Sequence, residues 1–346
     1  MFMEFDFCIS EETRKKADNE ADHLVQELFD AGKMESLYEL AAIPSDDLRD
    51  FRSANPALNR FIHQKPKAPA WLDRELLKQA SDFYRTYALE IMMLLGAVSL
   101  PTCYAASPGN KVLYISEKIR NKPGKRLLDT ASFVISISEP GAFEENGIGY
   151  KAVQQVRLIH ALARYHILNS GKWDLSWGLP VNQEDMLGTN LAFSYTVLCA
   201  LEKAGFTLKD EEQHAFLHLW KWVGYLMKID LEMLTDTMDE AHQIDRVIRV
   251  RNFRKSPEGI SLTRSLLSHY KEALPRGLDF IMESQIKYLV GKEIGDMLGL
   301  KSNILQDLFV RALARVQELI IKCIPHRPSY PKMMKDHLRL KELYSE

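Results

Sequence analysis

The sequence predicts an all-α fold, a single multi-helix domain. Two observations carry the prediction. Apolar residues recur with the helical period of about 3.6 residues along nearly the whole chain, and alternating strand patterns are almost missing. With 346 residues the chain is long enough for a sizeable core, and it shows no internal repeat, low-complexity tract or clear linker that would split it. Its 46% hydrophobic and 27% charged residues are ordinary values for a globular protein.

The elements follow in order. Residues 1–67 read as a loosely attached helical extension, with a charged helix over 10–33 and short helices and loops from 43 to 70, where Pro, Asn and Asp cluster. Residues 68–346 form the main domain. Trp71-Leu-Asp-Arg opens a long helix to about Leu95, and Pro101 marks its end. Ser107-Pro-Gly-Asn110 is a turn. Helical segments follow near 111–119 and 123–137, before a break at Pro140-Gly141. A longer helix spans about 147–169 and stops at Asn169-Ser-Gly171. Asn182 is an N-cap with Asp185 in the first turn, and that helix runs to about Lys203, where Gly205 ends it. Further helices fit 209–228, 230–251, 261–273, 277–298, 303–323 and 330–343.

Composition excludes several function classes. The net charge of −2, with Lys and Arg scattered, gives no basic field for nucleic acid. Cys8, Cys103, Cys199 and Cys323 are far apart and lack metal-ligand spacing, which fits a reducing compartment. Met1-Phe-Met-Glu-Phe-Asp-Phe-Cys8 has no basic region followed by an apolar run, so it does not read as a signal peptide. The apolar stretch Ile91–Leu100 is about half the length of a spanning helix. The expectation is a soluble, cytoplasmic protein without a transmembrane segment. No Gly-rich phosphate loop, Walker motif or G-x-S-x-G elbow occurs.

The helix containing His160 carries the most chemistry. On a helical wheel Val153, Arg157, His160, Arg164 and Ile167 share one face, and Leu158, Ala161, Leu162 and Tyr165 form a second, apolar one. A haem ligand must be a neutral imidazole within an apolar wall, and arginines one turn away suit haem propionates. A histidine flanked by arginines on a helix is usually a surface or interhelical hydrogen-bonding group, so the wheel alone does not establish a ligand. Upstream, Arg126, Asp129 and Thr130 share a face of an otherwise apolar helix. Such a trio either lines a wet cavity or forms a buried Arg126–Asp129 ion pair between helices.

Other candidates are weaker. His214 and His218 have i, i+4 spacing, but His214-Ala-Phe-Leu-His218 holds no internal carboxylate and fits a packed face better than a metal site. His166, six residues after His160, points elsewhere, about 600° round the helix. The methionines at 92, 93, 227, 233 and 238 fit core positions. In Asn182-Gln-Glu-Asp185 capping explains Asn182 and Asp185, with Gln183 or Glu184 near a pocket as the alternative. His326–Lys335 reads as a solvated basic connection to the last helix.

Three stretches together resemble the MpaB/rubber-oxygenase family, which includes latex-clearing proteins and fungal enzymes of meroterpenoid biosynthesis. They are Arg126-Leu-Leu-Asp-Thr130, Val156-Arg-Leu-Ile-His-Ala-Leu-Ala-Arg164, and Trp177-Gly-Leu-Pro-Val-Asn-Gln-Glu-Asp-Met-Leu-Gly-Thr189 with Phe193-Ser194. Weaker support comes from Pro69-Ala-Trp-Leu-Asp73 and Ser99-Leu-Pro-Thr-Cys-Tyr104, and the resemblance covers about residues 68–230. It implies an all-helical catalytic domain, here 68–346, built around haem b. It implies that His160 ligates the iron on the proximal side and that Arg126 and Thr130 line the distal pocket. Rubber oxygenases carry a lysine three residues after that arginine, able to act as a distal ligand. Here Asp129 stands in its place, so the distal site is expected to be open, water-bound or tuned to another substrate. Glu117 is a positional candidate for the family's distal glutamate.

The expectation for function is a haem b-dependent oxygenase using dioxygen. Its outcome would be oxidative cleavage of a C=C bond in an isoprenoid or other small apolar, prenylated substrate. His160 would hold the iron, Arg157 or Arg164 would pair with a propionate, Arg126 and Thr130 would steer oxygen, and Asp129 would handle protons. Two rivals stand beside it: a haem-binding sensor or carrier, and a helical interaction protein without haem. Metal at His214 and His218 is a third. Oligomeric state is silent in the sequence.

Overall fold

The computed structural model describes residues 9–116, 123–273, 279–323 and 328–344. The described residues are helical throughout, and their one β-type pairing is an isolated bridge between Ala106 and Phe253. The all-α expectation is met.

The N-terminal segment begins with a 3-10 turn, Glu11–Lys15, and continues into α1 (Asn19–Asp30), α2 (Glu35–Ala42), a 3-10 turn at Ser45–Asp50 and α3 (Pro56–Ile62). The single helix expected over 10–33 is split because Asp18 stops to cap α1, accepting from the Ala21 N–H. Asn55 and Pro56 start α3 in the same way, the carboxamide accepting from Ala57 and Leu58.

Asp73 caps α4 (Arg74–Thr86), which gives way at Tyr87 to α5 (Ala88–Leu94). Pro101 does not end this run. A π-helical turn at Leu95–Ser99 re-registers the chain, and α6 (Leu100–Ala105) carries Pro101 in its first turn, where a missing N–H costs no helical bond. The whole stretch Ala88–Ala105 is long and apolar enough to cross a bilayer by length and composition, and 67% of it is buried in the fold. The turn expected at Ser107-Pro-Gly-Asn110 is instead the first turn of α7 (Ser107–Ile115), with Pro108 again at a tolerated position.

Next come α8 (Pro123–Ser138) and the 21-residue α9 (Gly149–Asn169), which carries His160. Asn182 caps α10 (Gln183–Phe193) as expected, accepting from the Asp185 N–H at 3.0 Å. Ser194, at φ −111° and ψ −86°, breaks the run before α11 (Tyr195–Lys203). The remaining helices are α12 (Asp210–Leu226), α13 (Met238–Asn252), α14 (Pro257–Ala273), α15 (Asp279–Val290), α16 (Lys292–Met297), α17 (Ile304–Cys323) and α18 (Tyr330–Tyr344). Helix α13 starts later than expected because Thr237 and Glu240 form a capping box. Gly291, at φ 89°, separates α15 from α16.

Burial explains the arrangement. The main core joins α4, α5, α8, α10 and α12 through residues such as Phe83, Ile91, Ile135, Leu191, Phe216 and Trp222. A second cluster is the surprise: Leu24, Val25, Leu28, Leu37, Leu40, Leu58 and Ile62 of the N-terminal segment pack on Leu158 and Ala161 of α9. The extension is therefore not loosely attached. It covers the second apolar face of the His160 helix, and leaving that face bare would forfeit about 25 cal/mol per Å² of apolar surface. Among the methionines Met233 is core, whereas Met93 is 62% exposed and is not a core residue.

Candidate active site

Helix α9 is held between α8 on one side and the N-terminal helices on the other, which fixes the rotation of His160. The imidazole lies deep in the fold, while the residue as a whole keeps partial accessibility. Its Nδ1 is buried without a hydrogen-bond partner. Burial, reinforced by the positive charges of Arg164 and Arg126, pushes its pKa down to about 3. The ring is therefore neutral at physiological pH, with a free lone pair. That is the state a metal-ligating imidazole requires.

Arg126, half-buried on α8, is near enough for its charge to act on His160, Cys103 and Tyr104. The buried Arg126–Asp129 ion pair weighed above does not form. Asp129 faces Lys125 at 3.6 Å instead, and no carboxylate among the described residues pairs with Arg126. The Thr130 hydroxyl donates to the Arg126 carbonyl at 2.9 Å, which leaves its oxygen as an acceptor. Glu117 lies outside the described residues.

The two arginines of α9 part company. Arg157 is fully buried and its Nε and Nη2 bind the Asp18 carboxylate at 2.6 and 2.9 Å, with further bonds to Glu20 at 2.8 Å and Gln154 at 2.6 Å. It is a structural anchor for the N-terminal segment, which corrects its assignment to a propionate. The reason is that a buried guanidinium takes the carboxylates the fold supplies. Arg164 binds Asp22 at 2.8 Å and the Val181 carbonyl at 3.1 Å, and its Nη2 remains buried without a partner. Val181 itself is a β-branched residue at φ 54°, strained backbone that aims its carbonyl at this arginine. Arg164 thus keeps one nitrogen without a partner.

Sequence reasoning missed several neighbours. The Cys103 thiol is pushed up to about 12 by burial, against a hydrogen bond with Thr189 and the charge of Arg126, so it stays a thiol. Asp185 borders the same region. Burial raises its carboxyl to about 6 although Arg14 Nη1 and Asn182 Nδ2 donate to it at 3.2 and 2.8 Å. Its neighbour Glu184, completely buried, accepts from Asn252 at 2.6 Å, Arg251 at 3.0 Å and Thr13 at 3.2 Å. Gln183 bridges the Lys228 carbonyl and the Asp230 N–H. This stretch therefore joins the N-terminal segment to α12 and α13, as capping suggested. The cue in the sequence was the run of polar residues between apolar helices; the partners could not be read from it.

His218 uses both ring nitrogens: Nε2 accepts from the Asp73 N–H at 3.0 Å and Nδ1 donates to Asp236 at 3.2 Å. It packs edge-on against Trp71 and belongs to a structural corner. Among the described residues no group of three His, Cys, Asp or Glu could hold a metal ion. A cavity of about 620 Å³ of mixed lining, with Lys15, Arg157, Lys228, Tyr225, Ile229 and Leu231 among its residues, does not include His160.

Comparison with known proteins places these features in context. Residues 46–319 match the family described as ER-bound oxygenase mpaB/B'/Rubber oxygenase, catalytic domain. The match begins at Asp46, inside the N-terminal segment. The chain is 24% identical over 301 residues to a protein of Streptomyces sp. (strain K30) named rubber oxygenase, covering 85% of this chain and 74% of that one. Its fold is similar to that of latex clearing protein solved in the closed state, with a TM-score of 0.76 and 21% identity over 96% of this chain and 91% of the other.

Proposed function

The chain belongs to the mpaB/rubber oxygenase catalytic-domain family and is an oxygenase, and on that premise we propose that it uses haem b and dioxygen to oxidise an apolar alkene. Cleavage of a C=C bond in an isoprenoid chain, giving carbonyl products, is the outcome this reading favours. The observation that carries it is the His160 ring: neutral, deep in the fold, with Nδ1 buried and unpartnered. An orphaned buried polar atom costs about 1–3 kcal/mol, and a bound cofactor that uses the imidazole would offset that cost at His160.

The donor set fits haem. His160 would hold the iron through a neutral imidazole nitrogen. The spare Nη2 of Arg164 suits a propionate, and Arg126 would supply a second positive charge near His160. When bound, haem iron supplies the capacity to bind and activate dioxygen. The chain does the rest. Arg126 opposes negative charge that develops near it. The Thr130 oxygen, whose own proton goes to the Arg126 carbonyl, would accept a proton-bearing group. Asp129, tied to Lys125, serves α8 rather than the reacting atoms. We place the protein in the cytoplasm, where Cys103 and Cys199 stay reduced.

The test is a UV–visible spectrum with pyridine haemochrome quantitation for wild type and His160→Ala, followed by a screen of prenyl alkenes for carbonyl products under dioxygen. The expected result is near-stoichiometric haem in wild type and its loss, or a shifted Soret band, in the variant. A wild type that stays haem-free after reconstitution overturns the proposal.

A further inference from the structure

Helix α17 has an apolar face that the fold does not cover. Ile304, Leu305, Leu308, Phe309, Leu313 and Val316 are between 44% and 79% exposed. At about 100° per residue, Leu305, Leu308, Phe309, Ala312, Leu313 and Val316 fall within a sector of about 140°. Val310, on the far side, is buried at 3%, and Ile321, about three turns further along that side, packs against the main core. The helix is therefore seated by one edge, largely on α15, and shows its hydrophobic face outward. Contiguous exposed apolar surface of this kind marks an interaction site.

We infer that α17 is an interfacial helix that lays this protein on a bilayer containing anionic lipid. The face itself argues for hydrocarbon: it is aliphatic apart from Phe309, and its six large side chains carry no hydrogen-bond donor or acceptor. Protein–protein interfaces interleave hydrogen bonds, about one per 100–200 Å², and favour Tyr, Trp and Arg anchors. Charge argues for the anionic lipid. Arg311 and Arg315 are exposed on the rim of the apolar sector, where their long stems can lie along the acyl boundary while the guanidinium groups reach headgroups. The charge of Arg311 is also felt at Lys203, so positive charge gathers at this edge. Residues 304–344 hold eight Lys or Arg against four Asp or Glu, a surplus of four; the rest of the chain has a deficit of six. Positive charge is thus concentrated in the part of the chain that exposes the apolar helix. Asp307, Arg311, Arg315, Glu318 and Lys322 make α17 unsuited to span, so it lies in the plane of the surface. This inference stands apart from the cofactor and the reaction.

The test is flotation of the full-length protein with vesicles of phosphatidylcholine alone or with about 30% phosphatidylserine, for wild type, Leu305→Glu/Leu308→Glu and Arg311→Glu/Arg315→Glu. These side chains are exposed, so circular dichroism and Tm without vesicles should match wild type. Wild type should bind the anionic vesicles and bind them less in high salt. The leucine variant should lose binding at least tenfold to both vesicles. The arginine variant should bind the two compositions alike. Wild type that binds neither vesicle overturns the inference, as does binding that none of the variants changes. A concentration-dependent dimer in sedimentation velocity, abolished by Leu308→Glu and unaccompanied by vesicle binding, would assign the face to self-association instead.

Discussion

Replacing Asp18 by Ala puts the anchoring of the His160 helix to a quantitative test. Asp18 and Arg157 are 4% and 2% exposed and share two bonds of 2.6 and 2.9 Å. Removing one partner of a buried pair strands the other charge, a loss of about 3–5 kcal/mol. Glu20 also binds Arg157, but at 43% exposure it screens the stranded guanidinium only in part. Loss of the α1 cap adds about 1 kcal/mol. A total of about 4 kcal/mol is therefore expected. Unfolding entropy of about 2.1 cal/mol/K per residue gives about 0.7 kcal/mol per degree for a chain of this size, so Tm should fall by about 5–6 °C. The double variant Asp18→Ala/Arg157→Met removes both charges and should recover much of this, leaving mainly the lost cap. Differential scanning calorimetry on the four proteins of the cycle measures it. If Asp18→Ala shifts Tm by less than 1 °C, or the double variant is as unstable as the sum of the singles, the buried-pair reasoning fails. Arg157→Met lowering haem content with Tm unchanged would return Arg157 to the cofactor.

Two pH responses of opposite sign follow. The Asp46 carboxylate, 14% exposed, is held down to about 2 against its burial by His337 at 2.9 Å and Lys341 at 3.1 Å. Its stabilisation is complete above the unfolded pKa near 3.9 and is lost as pH falls toward 2; Asp46→Asn should cost about 2 kcal/mol at pH 7 and flatten that acid limb in urea titrations. Asp185 runs the other way. Its carboxyl, raised to about 6 chiefly by burial, keeps its proton where the unfolded chain has lost it, so stability declines as pH rises from about 4 through 6. Asp185→Asn should remove about 2–3 kcal/mol of that decline, and an unchanged slope between pH 4 and 7 would contradict the assignment.

The helical class, the course of α9 and the Asn182 cap were legible because each depends on residues within a turn or two of one another. The second apolar face of α9 was legible too, though not what would cover it. Local signals misled where a neighbouring irregularity absorbed them. Pro101 and Pro108 look like terminators but sit in first turns, after the π turn and after Ala106 respectively. Arg157 and Arg164 look alike on a wheel, and only contacts 139 and 142 residues distant separate an anchored guanidinium from one with a spare donor. Pair formation across such distances is decided by packing, which leaves no mark at either position. The environment of Cys103 was hidden for the same reason.

Asp46 meets His337 and Lys341 across 291 and 295 residues of chain. During synthesis the N-terminal segment can collect on α9 as soon as α9 has emerged, but α18 closes on Asp46 only when almost the whole chain has been made. At about 5–20 residues per second, roughly ten seconds or more separate the first partner from the last. Over that interval the side of the core that α18 covers stays open, long after the His160 helix has its N-terminal buttress. Assembly of this protein is ordered by its topology: one flank of the central helix is finished early, and the last helix seals the other side.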